Sequence, residues 1–246
     1  MKRIESLSNQ YIKDLYKLHD KRQRDIEKKF LVEGENLITE ANKTGNLDTV
    51  LFSDEKYRIE GIKNIYVSDK IIQKLAFTKT PQKVIGVCKY LSIKNISGSR
   101  FLLLDDIQDP GNLGTLVRSS LGFNIDKIYL SKDSVDLYND KFIRSSGGAI
   151  FHIDIEVVNI KEKIISLKEQ GIVVYGTSVE KGVLLEDINQ TNKYAIVLGN
   201  EGSGLKKEIL DLTAKNIFIK INPALESLNV AIAGSIILYY LNSKKS

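Results

Sequence analysis

Residues 221–242 read INPALESLNVAIAGSIILYYLN, and this stretch places three polar side chains at the start of an otherwise apolar helix. They are Glu226, Ser227 and Asn229, and they surround Leu228. One Ser or Asn is enough to cap the start of a helix, and polar side chains are uncommon on a buried helix. Three polar groups therefore exceed what a cap needs, which makes this helix start a candidate site for binding or chemistry.

Upstream of this helix, continuous apolar strands alternate with helical stretches. Strands of this kind are typical of a parallel sheet that is buried on both faces. The alternation predicts an α/β fold with a mostly parallel sheet and helices on both faces, whose ligand site lies beyond the carboxyl ends of the strands. The predicted strands are FLLLDDI (101–107), KIYLS (127–131), IVVYGTSV (172–179), YAIVLGN (194–200) and NIFIKI (216–221).

The N-terminal third is predicted to form a module of its own. A helical pattern from Tyr11 to Lys29 is followed by short strands and helices, which together indicate a small α/β domain. Asn, Ser and Gly with little apolar content predict a linker over residues 91–99. The predicted domains are therefore residues 1–90 and 100–246.

The excess of positive charge lies entirely in the first module. The chain has 36 Lys or Arg and 31 Asp or Glu, a net charge of +5. Residues 1–90 hold 18 basic and 13 acidic side chains, and residues 91–246 hold 18 of each. The densest basic block, KLHDKRQRDIEKKF, contains Lys21, Arg22 and Arg24 as candidate nucleic-acid-binding residues. Because acidic residues interleave this block, a solvated helix face explains it equally well.

Cysteine and histidine usage disfavours several classes of protein. Cys88 is the single cysteine, so the chain can form neither a disulfide framework nor a cysteine-rich zinc site. The only histidines are His19 and His152, which gives little support to a Ser-His-Asp hydrolase or to a metal site. No apolar run reaches the roughly 20 residues that span a bilayer, and the N-terminus lacks the apolar block of a signal peptide. We therefore expect a cytoplasmic protein with no membrane partner.

The stretch DDIQDPGNLGTLVRSS (105–120) follows a predicted strand and opens a helix. Its proline and glycines predict a tight turn, with Asn112 near the turn and Arg118 inside the helix. A guanidinium in this position could hold a phosphate or ribose oxygen through forked hydrogen bonds. An ordinary turn with Arg118 in a surface ion pair fits the same spacing.

The stretch GNEGSG (199–204) ends another predicted strand. Its three glycines let the backbone approach a ligand closely. It does not match the phosphate-binding pattern G-x-x-x-x-G-K-[ST], and no G-x-G-x-x-G follows the first strand, so neither a P-loop nor a dinucleotide site is indicated. Glu201 within the loop could bond a ligand or fix Arg118.

The order and spacing of these three stretches resemble the motifs of the SpoU branch of the SPOUT methyltransferases. Those motifs are N-x-G with a downstream Arg, then G-x-E-x-x-G, then E-S-L-N-V at the start of the last helix. The resemblance covers residues 100–243, and FLVEGENLITEA (30–41) is similar to the substrate-binding domain that precedes the catalytic domain in many members. It implies a C-terminal trefoil knot, a rare exception to un-knotted topology. It also implies an RNA ribose 2′-O-methyltransferase acting on ribosomal RNA, with transfer RNA or a catalytically silent RNA-binding role as alternatives.

The same resemblance implies S-adenosylmethionine as cofactor, no metal, RNA as partner, and a homodimer that covers the apolar last helix. Where many relatives have Ile-Pro-Met, this chain has Ile219, Lys220 and Ile221, which leaves the shape of that loop open. The implied cofactor-binding residues are Thr177, Gly199, Asn200, Gly202, Ile219 and Leu228, and the implied catalytic and substrate-facing residues are Asn112, Arg118, Glu201, Ser227 and Asn229.

Arg118 and the basic N-terminal module are expected to have different roles in the reaction. A guanidinium stays protonated and is a poor base, so Arg118 is expected to stabilise a phosphate or alkoxide rather than to accept the hydroxyl proton, and the proton acceptor stays open. The basic module 1–90, with Lys21, Arg22 and Arg24, is expected to supply most of the RNA affinity. A shortened chain that starts near Ser99 is then expected to fold and to bind cofactor.

Overall fold

A computed structural model describes residues 2–94, 97–178, 182–188 and 191–243 of the chain. These residues form two compact units. The first comprises the residues up to Ser92 together with Leu137–His152, and the second those from Ile93 to Asp136 and from Ile153 onward. Residues 95 and 96 of the predicted linker and residue 179 of a predicted strand lie outside the described residues. The assignment of one domain to RNA binding and the other to catalysis stays a prediction.

The first unit contains a mixed five-stranded sheet. Its elements before the linker are β1 (Lys2–Ile4), α1 (Gln10–Lys17), α2 (Lys21–Glu27), β2 (Lys29–Glu33), α3 (Glu35–Lys43), β3 (Leu47–Phe52), a short 3-10 helix (Glu55–Tyr57), β4 (Lys63–Val67), α4 (Asp69–Leu75) and β5 (Val84–Lys89). The strand order is β1-β4-β3-β5-β2. β1, β4 and β3 run parallel, whereas β5 is antiparallel to both β3 and β2.

Apolar side chains hold α1 and α4 on one face of this sheet. Ile12 of α1 and Ile71 of α4 are fully buried and belong to one core cluster with Leu51 of β3 and Ile65 of β4. Burial of such side chains contributes about 1.5–3 kcal/mol each relative to exposure, before the entropy of ordering the chain is counted. The polar face of α1 is left at the surface of the unit.

The long helix predicted near the N-terminus is interrupted in the structure. Asp20 caps α2, because its carboxylate accepts a hydrogen bond of 3.1 Å from the backbone N–H of Gln23. The guanidinium of Arg24 is buried and donates to the carbonyls of Leu18 at 3.0 Å and His19 at 2.8 Å. Arg24 thus fixes the turn between α1 and α2, which corrects its predicted role as an RNA-binding residue.

The elements after the linker include the seven strands of the second unit. In chain order they are β6 (Arg100–Leu104), α5 (Pro110–Gly122), β7 (Lys127–Ser131), α6 (Asp140–Ser145), a 3-10 helix (Ala149–Phe151), β8 (Asp154–Val158), α7 (Ile160–Glu169), β9 (Val173–Thr177), β10 (Val183–Leu184), a 3-10 helix (Leu185–Asp187), β11 (Tyr194–Leu198), α8 (Lys207–Leu210), β12 (Lys215–Phe218) and α9 (Val230–Ser243). The helix α6 and the 3-10 helix after it belong to the first unit.

The sheet of the second unit has the order β10-β12-β9-β11-β6-β7-β8, and all of its described strand pairs are parallel. The predicted α/β class with a parallel sheet is therefore confirmed. The strands β8 and β10 were not among those predicted, and the trefoil knot stays a prediction.

Helices cover both faces of this parallel sheet. Val197 of β11 packs in a core cluster with Ile164 of α7, whereas its neighbour Leu198 faces the opposite side, since side chains alternate along a strand. On that side a Cβ added to Gly234 of α9 would lie 2.6 Å from Leu198 and 2.5 Å from Leu116 of α5. Glycine at this position lets α9 approach α5 and the sheet closely.

The segment Leu137–His152 packs with the first unit although it follows β7. Phe142 of α6 is completely buried, and the ring of Phe151 stacks 6.3 Å from that of Phe30 in β2. A shortened chain that starts near Ser99 would lack Phe30 and the sheet around it. The structure therefore argues against the expectation that such a shortened chain folds unaided.

Candidate active site

A pocket of about 390 Å³ opens at the carboxyl ends of β9, β11 and β12. Its apolar lining comes from Leu198, Ile217, Ile221 and Ile237, and its polar lining from the loop after β11 and the segment before α9. Pockets of roughly 300–1,000 Å³ with mostly apolar walls and a few polar groups are typical of small-molecule and cofactor sites. The position agrees with the predicted ligand site beyond the strand ends.

All of the predicted cofactor-binding residues line this pocket. Thr177 ends β9, and its hydroxyl donates to the carbonyl of Val197 at 3.0 Å. Two of the predicted catalytic residues also line the pocket, whereas the other three lie outside its lining. The lining includes Thr177, Gly199, Asn200, Gly202, Ile219 and Leu228 of the first set, and Glu201 and Ser227 of the second. Pocket lining establishes location alone, so the roles of these residues in binding stay predictions.

The loop after β11 folds back tightly on itself. A Cβ on Gly199 would lie 2.5 Å from backbone atoms of Gly204 and Leu205, which is closer than any real contact. The N–H of Gly204 donates to the carbonyl of Asn200 at 2.9 Å, and Gly204 has φ +67°, a conformation that favours glycine. The three glycines in the sequence therefore correspond to a loop in which Gly199 has no space for a side chain and Gly204 adopts a conformation that favours glycine.

Asn200 shapes this loop with both ends of its side chain. Its Oδ1 accepts from the backbone N–H groups of Gly202 at 2.9 Å and Ser203 at 3.1 Å. Its Nδ2 donates to the carbonyl of Asp106 at 3.0 Å. The side chain thus links the loop to the turn after β6, and a ligand in the pocket would meet mainly backbone atoms here.

Glu201 is the acceptor for three N–H groups from the motif that follows β6. The backbone N–H groups of Gln108 and Asp109 donate to its two carboxylate oxygens at 3.2 and 3.0 Å. The Nδ2 of Asn112 donates to Oε1 at 3.1 Å. Sequence reasoning had offered a ligand or Arg118 as the partner of Glu201, and the structure places Asn112 there instead.

Asn112, which is oriented by Glu201, in turn orients the side chain of Asn229 at the start of α9. The Nδ2 of Asn229 donates to the Oδ1 of Asn112 at 3.0 Å. The Oδ1 of Asn229 accepts from the N–H groups of Ala231 at 2.9 Å and Ile232 at 3.3 Å. Asn229 is thus a helix cap and also the end of a chain from Glu201 through Asn112 to Asn229. This chain joins the three motifs that were recognised in the sequence.

Glu201 is held as a carboxylate by its partners. Burial raises the pKa of Glu201, but hydrogen bonds from the N–H of Asp109 and the amide of Asn112 lower it by more. The net pKa of Glu201 therefore lies below its usual value. Near neutral pH the side chain accepts hydrogen bonds only. As the pH falls through this lowered pKa the carboxylate gains a proton, and its hold on Asn112 weakens.

Arg118 and Ser227 lie apart from this chain of amides. Arg118 is exposed on α5 and makes no hydrogen bond or ion pair to any described residue, so the surface-ion-pair interpretation has no support. Ser227 is exposed in the segment before α9 and lines the pocket. Both side chains are therefore available to a molecule that approaches from solvent.

Sequence reasoning missed the residues that hold the turn after β6. Asp106 has φ +59°, which is unusual for a residue other than glycine. Its N–H donates to the Oγ of Ser131 at 2.8 Å, and the N–H of Ile107 donates to the Oγ of Ser134 at 3.0 Å. Ser131 at the end of β7 and Ser134 after it gave no signal of this role, because a hydroxyl that accepts from a distant backbone N–H leaves no pattern in the sequence.

The two histidines have partners outside this site. His152 pairs with Glu40 at 2.6 Å and is not part of a strand, and His19 contacts the carbonyl of Leu75 at 3.0 Å. Within the described ranges, no group of three or more His, Cys, Asp or Glu could hold a metal ion. Over the same residues no helix is long and apolar enough to cross a membrane.

Comparison with known proteins decides the family. Residues 99–239 match the SpoU rRNA Methylase family, and residues 9–86 match the MRM3-like substrate binding domain. The chain belongs to the SpoU rRNA Methylase family. The family membership inferred from the three sequence motifs is thereby confirmed.

Named relatives extend over nearly the whole chain. It is 37% identical over 247 residues to the 23S rRNA (guanosine(2553)-2′-O)-methyltransferase RlmP of Bacillus subtilis, covering 98% of this chain and 99% of that protein. It is 31% identical over 208 residues to the 23S rRNA (guanosine-2′-O-)-methyltransferase RlmB of Coxiella burnetii, covering 78% and 81%. The AdoMet-bound rRNA methyltransferase of Sinorhizobium meliloti is similar over 100% of this chain and 98% of that one, with 26% identity and a TM-score of 0.89.

A matched pair of glycine substitutions tests the loop. Gly199→Ala should weaken S-adenosylmethionine binding by at least tenfold, because its Cβ meets backbone that cannot move without opening the loop. Gly122→Ala at the end of α5 should change the affinity little, since no atom lies within 4 Å of its Cβ and it is outside the pocket lining. Calorimetric titration of both variants measures this difference, and equal affinities would show that the close approach at Gly199 does not shape the cofactor site.

Proposed function

We propose that this chain transfers a methyl group from S-adenosylmethionine to the 2′-hydroxyl of a ribose in 23S ribosomal RNA. The observation that carries the proposal is one loop, residues 199–204, that lines the pocket and also supplies Glu201 to the amide chain. The same loop therefore borders both the proposed cofactor pocket and the hydrogen-bonded side chains of Glu201, Asn112 and Asn229. The two relatives named as 23S rRNA guanosine 2′-O-methyltransferases support guanosine as the nucleotide.

The residues around the pocket fit an S-adenosylmethionine molecule. Gly199 lets the loop close over the backbone of Gly204 and Leu205, and the apolar side chains of Ile217 and Ile237 suit an adenine ring. When bound, this cofactor supplies a methyl group on a positively charged sulfur, which a lone pair of the ribose oxygen can attack. Exposed backbone groups of the loop and the Thr177 region would hold the cofactor without any metal.

The chain's own polar residues would position the RNA. Asn112 and Asn229 are fixed by Glu201, so their amides have one orientation each and need no reordering when the ribose arrives. Arg118 is free to fork onto a phosphate or to stabilise the developing alkoxide. Ser227 would bond the same nucleotide from the segment before α9. The group that accepts the 2′-hydroxyl proton is not assigned.

The test is a methyl-transfer assay on ribosomal RNA from cells that lack the gene, with the modified ribose mapped afterwards. The wild-type chain should methylate one 23S ribose, and a chelator should not reduce the rate. Arg118→Lys keeps the charge but loses the fork, so turnover should fall by roughly 100-fold while the cofactor affinity stays within about twofold.

Two results would overturn this account in different ways. No ribose methylation by the wild-type chain on any ribosomal RNA would remove the proposed activity. Full turnover of the Arg118→Lys variant would leave the activity intact but would remove the forked contact of Arg118 from the mechanism.

The homodimer inferred from the sequence is also a proposal. Ile232, Ile236 and Tyr239 of α9 are 53%, 38% and 60% exposed and follow each other at spacings of four and three, which places them on one stripe of the helix. A stripe of this kind is typical of an interface. A second copy of the chain is the proposed partner, and the cytoplasmic location stays a prediction of the sequence.

Sedimentation of two variants tests the dimer. Ile232→Glu places a charge on the α9 stripe and should convert the dimer into a monomer. Ile165→Glu places the same charge on α7 at a residue that is 47% exposed, and it should leave the dimer intact. A monomeric wild-type chain at micromolar concentration, or a dimer of the Ile232→Glu variant, would contradict the proposal.

A further inference from the structure

The edge of the first unit's sheet that is formed by β1 carries lysines arranged around tyrosine rings. We propose that this region binds backbone phosphates of the RNA substrate, an inference that rests on the proposed function. We call it the β1-edge surface and define it by Lys2, Tyr11, Tyr16, Lys63, Lys70 and Lys74. All six side chains are exposed or half-buried in the folded chain.

Tyr11 holds two ammonium groups of this surface. The Nζ atoms of Lys2 and Lys63 lie 5.9 and 5.2 Å from the centroid of its ring. The pairing of β1 with β4 brings the two lysines together, since Lys2 lies opposite Ile65 and Lys63 is two residues earlier on the same face. Contacts between ammonium groups and an aromatic ring reduce the freedom of both lysines before any RNA arrives.

Tyr16 repeats this arrangement further along α1. The Nζ of Lys74 in α4 lies 5.4 Å from the centroid of the Tyr16 ring. Lys70 precedes Lys74 by four residues, so the two lysines share one face of α4. Lys2 and Lys63 on the strands and Lys74 on α4 therefore surround the two tyrosines of α1, and Lys70 shares the α4 face of Lys74.

Nearby acidic groups do not neutralise these lysines. Over the described residues, Lys2, Lys63 and Lys70 make no ion pair. Asp14 on α1 pairs instead with Lys17 at 2.7 Å. Asp69 on α4 accepts from the hydroxyl of Ser53 and keeps its negative charge beside Lys70, but the four lysines outnumber it. The surface therefore keeps a net positive charge that matches a polyanion.

The basic block predicted from the sequence is a poorer match to RNA. Arg24 is buried and Lys17 pairs with Asp14 at 2.7 Å. The exposed cations that remain are Lys21, Arg22 and Lys28, and Asp20, Asp25 and Glu27 are interleaved with them in the sequence. The helix α2 packs near β2, and β1 and β2 are the opposite edges of the sheet. Four strand spacings of about 4.8 Å separate these edges by roughly 19 Å, so the two basic regions can be tested independently.

The test compares two double variants that each remove two positive charges from the full-length chain. They are Lys2→Gln/Lys63→Gln on the β1-edge surface and Lys21→Gln/Arg22→Gln on α2. Binding to one transcribed fragment of 23S ribosomal RNA is measured by filter binding over a series of salt concentrations. Thermal unfolding and S-adenosylmethionine affinity of each variant verify that the fold is intact.

We expect the β1-edge variant to bind this RNA roughly tenfold more weakly at fixed salt. The slope of log affinity against log salt should become shallower by about 2, since each lysine contributes about one phosphate contact. The variant Lys70→Gln/Lys74→Gln should change affinity and slope in the same direction. Tyr11→Leu keeps both charges and should lower the affinity less, with a nearly unchanged slope.

Wild-type affinity and slope in both β1-edge variants would overturn the inference, whether or not the α2 variant binds more weakly. That result would leave the proposed function standing if the wild-type chain still methylates RNA. Conversely, a wild-type chain that transfers no methyl group would remove the proposed function, and the salt slopes would still decide whether this surface binds RNA.

Discussion

The Glu201 carboxylate, which accepts one N–H from each of Gln108, Asp109 and Asn112, is the group on which the arrangement of the site depends. An ionised carboxylate has no proton to donate, so the Nδ2 of Asn112 must face it. The Oδ1 of Asn112 then faces Asn229 and fixes that amide in turn. One acceptor with a lowered pKa thus orients a chain of two amides.

A second set of contacts fixes the same loop from the pocket side. Gly199 allows the backbone of the loop to close, and Asn200 ties it to the carbonyl of Asp106. Because Glu201 lies directly after Asn200, any opening of the loop displaces the acceptor of the amide chain. If the proposed function is correct, cofactor binding and placement of the ribose would be coupled through the consecutive residues Gly199, Asn200 and Glu201.

Sequence alone predicted the parallel sheet, the family and the location of the pocket, because apolar strand runs and the three short motifs leave direct signals. It could not predict that Leu137–His152 joins the first unit, since the packing of Phe151 on Phe30 is a tertiary contact without a local pattern. Arg24 was misassigned for a related reason. A basic residue in a charged block looks exposed until the turn that buries its guanidinium is known.

The most direct test of this account is a double-mutant cycle on turnover with Glu201→Gln and Asn229→Ala. If Glu201 acts by orienting Asn229 through Asn112, the double variant should be no slower than the slower single variant, with a coupling energy of about 1–2 kcal/mol. The S-adenosylmethionine affinity of Asn229→Ala should stay close to wild type. If the fold loss of turnover in the double variant equals the product of the losses in the two single variants, the proposed chain from Glu201 to Asn229 is contradicted.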